Sequence, residues 1–180
     1  YLVGTAAGAA VYARWAQRAR KSWSSVTVLL LAGIVAAIAL SSHVLANSVE
    51  IYETLAPHGS PFSRFALAEI GIAMMVFLLP PVGIGALFSH TVGIFSSTGV
   101  GRISGINLLG GVTASILFAS FIIDTAGYTI SYYTVATLYA SCALGVALFT
   151  RRSLKVTAAA GCIVLLSGLS SARSLAIMAD

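Results

Sequence analysis

Few side chains here could do chemistry: three histidines, five carboxylates and two cysteines among 180 residues. His43, four residues after Ala39, shares a helical face with it, a spacing that suits a tetrapyrrole lying against a helix. A bis-histidine haem would need a partner at the same depth. His90 falls at the opposite end of the apolar runs and His58 in a polar gap, so tetrapyrrole ligation at His43 is not expected. Three histidines at three levels cannot converge on zinc or copper either, and no metal site is expected. Cys142 and Cys162 both lie in apolar runs, at matching depth on either side of the Arg151–Lys155 gap. They read as small packing hydrophobes. No Gly-x-Ser-x-Gly elbow and no Ser, His and acid trio is present, so no catalytic residue is assigned.

The polar groups inside apolar runs are more informative. Glu69 lies about four residues into a run, roughly 6 Å deep at 1.5 Å per residue. A carboxylate there is costly and marks a candidate proton or cation contact, although its depth lets it reach the interface. Asn107 is an amide near the start of another run, between Gly105 and Gly110. It suits an interhelical hydrogen bond worth about 0.6–2 kcal/mol, or contact with a solute. Arg102 opens the same run and suits a lipid phosphate, or an anion held together with the Gly99–Gly105 backbone.

These residues must be positioned by membrane-spanning helices. The chain is 58% hydrophobic and 8% charged, against about 25% charged in soluble domains, and its mean hydropathy is +0.97. The expected architecture is an all-α polytopic transmembrane bundle of about six spans: 1–13 (an incomplete first span), 26–46, 65–89, 103–123, 128–150 and 156–177. Nothing divides it into two domains. Tandem Pro80-Pro81 predicts a kink or break in the third span, and 89–101 reads as a loop, a re-entrant turn or a short interfacial helix. The gap containing Pro57, Gly59 and Pro61 reads as a polar outer loop. Asp124–Gly127 reads as a tight turn. Helix packing is expected at Gly4, Gly8, Gly105, Asn107, Gly110, Gly111 and Ala114, because small residues let backbones approach closely where lipid supplies no hydrophobic drive.

Alternating sides put Arg14, Arg18, Arg20, Lys21, Arg102, Arg151, Arg152 and Lys155 on one face, with only Arg64 and Arg173 opposite. Glu50, Glu53, Asp124 and Asp180 fall on the second face, with Glu69 just inside it. The positive-inside rule makes the basic face cytoplasmic. Loops 14–25, 90–102 and 151–155 are then cytoplasmic, and loops 48–64 and 124–127 and the C-terminus periplasmic. The net charge of +5 sits in short loops as topology anchors, not in a groove with interleaved aromatics, which argues against nucleic acid.

The stretch Gly101-Arg-Ile-Ser-Gly-Ile-Asn107-Leu-Leu-Gly110-Gly111 resembles the entry into a span in the membrane region of bacterial fused spermidine-synthase-like proteins. Phe77-Leu-Leu-Pro80-Pro81-Val-Gly-Ile-Gly85-Ala-Leu-Phe88 is similar to that family's proline-then-glycine helix end. Leu2-Val-Gly4-Thr-Ala-Ala-Gly8, followed by Arg14 and Arg18, looks like its second span and first basic loop. The resemblance implies a polytopic fold and a bacterial inner-membrane setting. It does not carry aminopropyl transfer with it. No Gly-rich nucleotide loop follows a strand, and no acidic pair is placed to hold a polyamine. The functional expectation is a non-catalytic integral membrane subunit or anchor, with lipids and a larger membrane-protein complex as partners and no cofactor. The alternative is a permease-like module for a small, cationic solute, with Glu69, Asn107 and Arg102 as its contacts.

Overall fold

The computed structural model describes residues 1–16, 22–57, 61–95 and 99–150, and these form helices with short connections and no strands. The helices are α1 (Leu2–Ala16), α2 (Trp23–Ala46), α3 (Ser48–Leu55), α4 (Phe62–Ile94), α5 (Val100–Leu117) and α6 (Ile123–Thr150). A π-helical turn, Phe118–Ile122, joins α5 to α6. Among the described residues, four stretches are long and apolar enough to cross a membrane: Trp23–Ala46, Phe62–Ile94, Val100–Thr125 and Ile130–Phe149. Backbone polar groups must be satisfied internally in lipid, and the helix does this within each segment. At about 22 Å for 15 residues, α1 is shorter than the ~30 Å hydrocarbon core. The sixth expected span, 156–177, lies outside the described residues.

The packing centre is α4. Gly4, Gly8 and Tyr12 of α1 meet Pro81, Val82 and His90 in that order, so α1 and α4 run parallel. On α2, Thr27, Ile34 and Ser41 meet His90, Gly83 and Met75, so α2 and α4 are antiparallel. Ile34 and Ile38 of α2 also form a core with Ala136 of α6, flanked by Tyr132, Val135 and Tyr139. This arrangement places Arg14 and Arg102 at one end of the bundle. Glu50, Glu53, Glu69 and Asp124 lie at the other.

Three local features depart from the expectations above. α4 runs unbroken through Pro80 and Pro81 for 33 residues. Each proline removes one amide donor, which leaves the carbonyls of Val76 and Phe77 without their helical partners. The helix nevertheless persists, because Pro81 is buried against α1, where a Cβ on Gly4 would stand 2.8 Å from the proline's own Cβ. The stretch assigned to an outer loop contains α3, docked on α4 by stacking of Tyr52 on Phe65 at a centroid distance of 5.8 Å. The segment beginning at Ser89 stays helical to Ile94, and Gly99, with φ of 95°, precedes α5. The chain reverses at Gly127, whose φ of 74° and ψ of 173° belong to a region essentially reserved for glycine.

Candidate functional site

Two clefts and one buried polar cluster hold Arg102, Asn107, Glu53, Glu69 and His90. The inner cleft, about 540 Å³, opens at the basic end between α4, α5 and α6. Ile84, Leu87, Phe88 and Thr91 form its α4 wall, Arg102, Ile103, Ile106 and Asn107 its α5 wall, and Tyr139 its floor. Arg102 and Asn107, five residues apart, therefore share one cavity. The Thr91 hydroxyl donates to the Leu87 carbonyl at 2.9 Å and is occupied within its own helix. No carboxylate lines this cleft among the described residues.

The outer cleft, about 690 Å³, lies at the acidic end between α3, the end of α2 and the first half of α4. Glu53 and Glu69 both line it, with Tyr52, Phe65 and Phe77 as aromatic walls. Val76 and Phe77, whose carbonyls the tandem prolines release from the helical ladder, line it too. Glu69 is exposed, as its shallow position in the span requires. His43 is also exposed, and the Asn47 side chain reaches its Nδ1 at 3.4 Å. No group of three His, Cys, Asp or Glu side chains able to hold a metal occurs among the described residues. Cys142 is free and exposed, and Cys162 lies outside the described residues.

The buried cluster centres on His90, 4% exposed. The Tyr12 hydroxyl lies 2.6 Å from its Nδ1, and Nε2 lies 3.1 Å from the Trp23 carbonyl and 3.0 Å from Thr27 Oγ1. Thr27 donates its own proton to the Trp23 carbonyl at 2.9 Å. The network assigns one tautomer: Nε2–H donates toward Trp23 and Thr27, and Nδ1 accepts from Tyr12. One neutral imidazole thus ties α1, α2 and α4 together. Local spacing along the sequence gives no hint of this, because Tyr12 lies on α1 and Trp23 and Thr27 on α2, all far from His90 along the chain. A second inter-helix bond, from buried Ser41 to the Met75 carbonyl at 3.1 Å, joins α2 to α4 farther along. Among the described residues, every buried side-chain polar atom has a partner.

The small residues expected to pack helices divide into two groups. Gly4 and Gly8 sit against α4, and a Cβ on Gly8 would collide with the backbone of Val82. Gly85 stands equally close to the Thr5 backbone, and a Cβ on Gly83 would come within 2.7 Å of Ile34. Gly105, Gly110 and Gly111 have nothing within 4 Å of a Cβ placed there. Asn107 and Ala114 are exposed beside them.

Comparison with family models, with curated proteins and with solved structures finds no match. The likeness of the Gly101–Gly111 stretch to spermidine-synthase-like membrane regions therefore rests on its motifs alone.

Proposed function

We propose that this chain is a non-catalytic integral membrane subunit or anchor of a bacterial inner-membrane assembly, with α5 as its contact surface toward a partner. One observation carries the reading. The apolar stretch Val100–Thr125 is long enough to span, yet none of its most apolar 18 residues is buried within the bundle. Its face carries Asn107, Gly110, Gly111 and Ala114, spaced at i, i+3, i+4 and i+7. Glycine and alanine there offer a backbone surface that a second helix can approach closely. An amide in hydrocarbon gains by finding a hydrogen-bond partner across such an interface. The basic end faces the cytoplasm in this reading.

The test is cysteine cross-linking in native membranes. Gly111→Cys, in a background with Cys142→Ser and Cys162→Ser and carrying a thiol-attached photoactivatable cross-linker that reacts with any nearby residue, should yield an adduct containing a second polypeptide. Adducts found only with residues 156–177 of the same chain would overturn the reading, because that apolar run would then be the occupant of the α5 face.

A permease-like role is the second reading, supported by the outer cleft, where Glu53 and Glu69 stand among aromatic walls. It requires flux of a small cation into liposomes that Glu69→Gln reduces. Flux equal in both proteins would remove it.

A further inference from the structure

We infer that the inner cleft is a binding site for one anionic glycerophospholipid of the leaflet at the basic end, with Arg102 holding its phosphate. The inference is independent of which partner α5 meets.

Position, shape and charge converge on that ligand. Ile84, Leu87, Phe88 and Thr91 of α4, with Phe95 at its C-cap, line the cleft over eleven residues, or about 16 Å at 1.5 Å per residue. That is about half of the ~30 Å hydrocarbon thickness, the depth of one leaflet, and Tyr139 of α6 completes the lining. Its volume of about 540 Å³ falls in the range of ligand cavities, about 300–1,000 Å³. The deep walls, Leu87, Phe88 and Ile106, are apolar and suit an acyl chain. The mouth is polar and cationic. Arg102 sits in the first turn of α5, where a cation opposes the helix dipole and an anion is favoured. Its guanidinium can hold a phosphate through two parallel N–H donors. The amides of Val100 and Gly101, in the same first turn, have no acceptor within the helix. Asn107 lies one turn and a half deeper, about 7.5 Å below Arg102, at the level where ester carbonyls follow a phosphate. Its carboxamide N–H can donate to one of them. A free phosphate would use the mouth and leave the apolar depth empty. A fatty acid would fill the depth and leave Asn107 without an ester.

The experiment is native mass spectrometry of the delipidated full chain, titrated with phosphatidylglycerol, phosphatidylcholine or inorganic phosphate. One phosphatidylglycerol should bind at least tenfold more tightly than phosphatidylcholine, and excess inorganic phosphate should not displace it. Arg102→Gln should weaken that first binding event about tenfold, whereas Arg14→Gln, at the same end but outside the cleft, should leave it unchanged. Ile106→Trp, which fills the cleft without altering charge, should weaken it comparably. Thermal unfolding of each variant without lipid should match the parent, since Arg102 and Ile106 are both exposed. Equal binding of the two lipids, equal loss in the Arg14 variant, or displacement by inorganic phosphate would each overturn the assignment.

Discussion

The α1–α4 contact and the α5 surface are built from the same residue types and end in opposite states. In the first, Gly4 and Gly8 run parallel to Pro81, Val82 and Gly85, and the backbones meet so closely that no Cβ fits. In the second, Gly110 and Gly111 meet nothing within 4 Å. A small-residue pattern therefore records that close approach is available, without recording whether the chain itself supplies the neighbour. What separates the two regions is the polar and apolar lock around them. α1 is pinned by the Tyr12–His90 hydrogen bond at 2.6 Å and by edge contact of the two rings at 5.4 Å. α5 carries no comparable bond to α4 or α6 among the described residues. Its Ser115 hydroxyl is turned back onto the Gly111 carbonyl at 2.9 Å within the same helix.

Several substitutions sharpen this contrast. Gly8→Leu puts a side chain into the Val82 backbone, which cannot move aside, so the cost should reach or exceed the ~1–3 kcal/mol of ordinary overpacking. Thermal unfolding in detergent should show a large fall in midpoint. An unchanged midpoint would mean that α1 does not dock on α4 as described.

His90→Leu should cost about 1–3 kcal/mol, because it leaves the half-buried Tyr12 hydroxyl without its acceptor and removes a donor to Trp23. Tyr12→Phe should cost about 0.5–1.5 kcal/mol. The double variant should cost less than the sum of the two, since both changes break one network. Strict additivity would argue that the imidazole and phenol do not interact.

Gly127→Ala should cost about 1–3 kcal/mol of strain, given its φ of 74° and ψ of 173°. Because Gly127 sets the reversal between the α5 stretch and α6, this variant should also disturb the inner cleft. A parallel loss of phosphatidylglycerol binding would reveal it.

Gly110→Leu should have the smallest effect of the five single substitutions on the isolated chain. It enters open space and should change the unfolding midpoint by less than about 0.5 kcal/mol equivalent. In native membranes the same change should reduce recovery of a detergent-stable assembly. A loss of intrinsic stability as large as that of Gly8→Leu would show that α5 packs within its own chain.

How much of this was legible in the sequence follows from the range of each signal. Helical spans, and the segregation of Arg14 and Arg102 from Glu50, Glu53, Glu69 and Asp124, are written locally in composition, and the bundle has that polarity. Arg102 and Asn107 stand five residues apart, a spacing that does not put them on one helical face, so their sharing a cleft was not written in the sequence pattern. Nor was the role of His90, because Tyr12 and Thr27 are 78 and 63 residues away from it. The tandem prolines predicted a kink or a break by a local rule, and of these the break does not occur. The tertiary contact with Gly4 outweighs that rule, burying Pro81 in a continuous α4. The α3 helix did leave a trace: Val49, Tyr52 and Ala56 repeat at helical spacing inside a stretch whose polar residues and later prolines suggested a loop.

The central claim is that the Gly110, Gly111 and Ala114 face of α5 is covered by a second protein in the native membrane. Spin labels placed one at a time at 109–116 would report it through oxygen accessibility, measured in native membranes and again in the purified chain reconstituted alone. Positions 110, 111 and 114 should be shielded only in the native membrane, while 109, 112 and 116, on the opposite face, stay open to lipid in both. Equal accessibility of 110, 111 and 114 in the two preparations would contradict the claim.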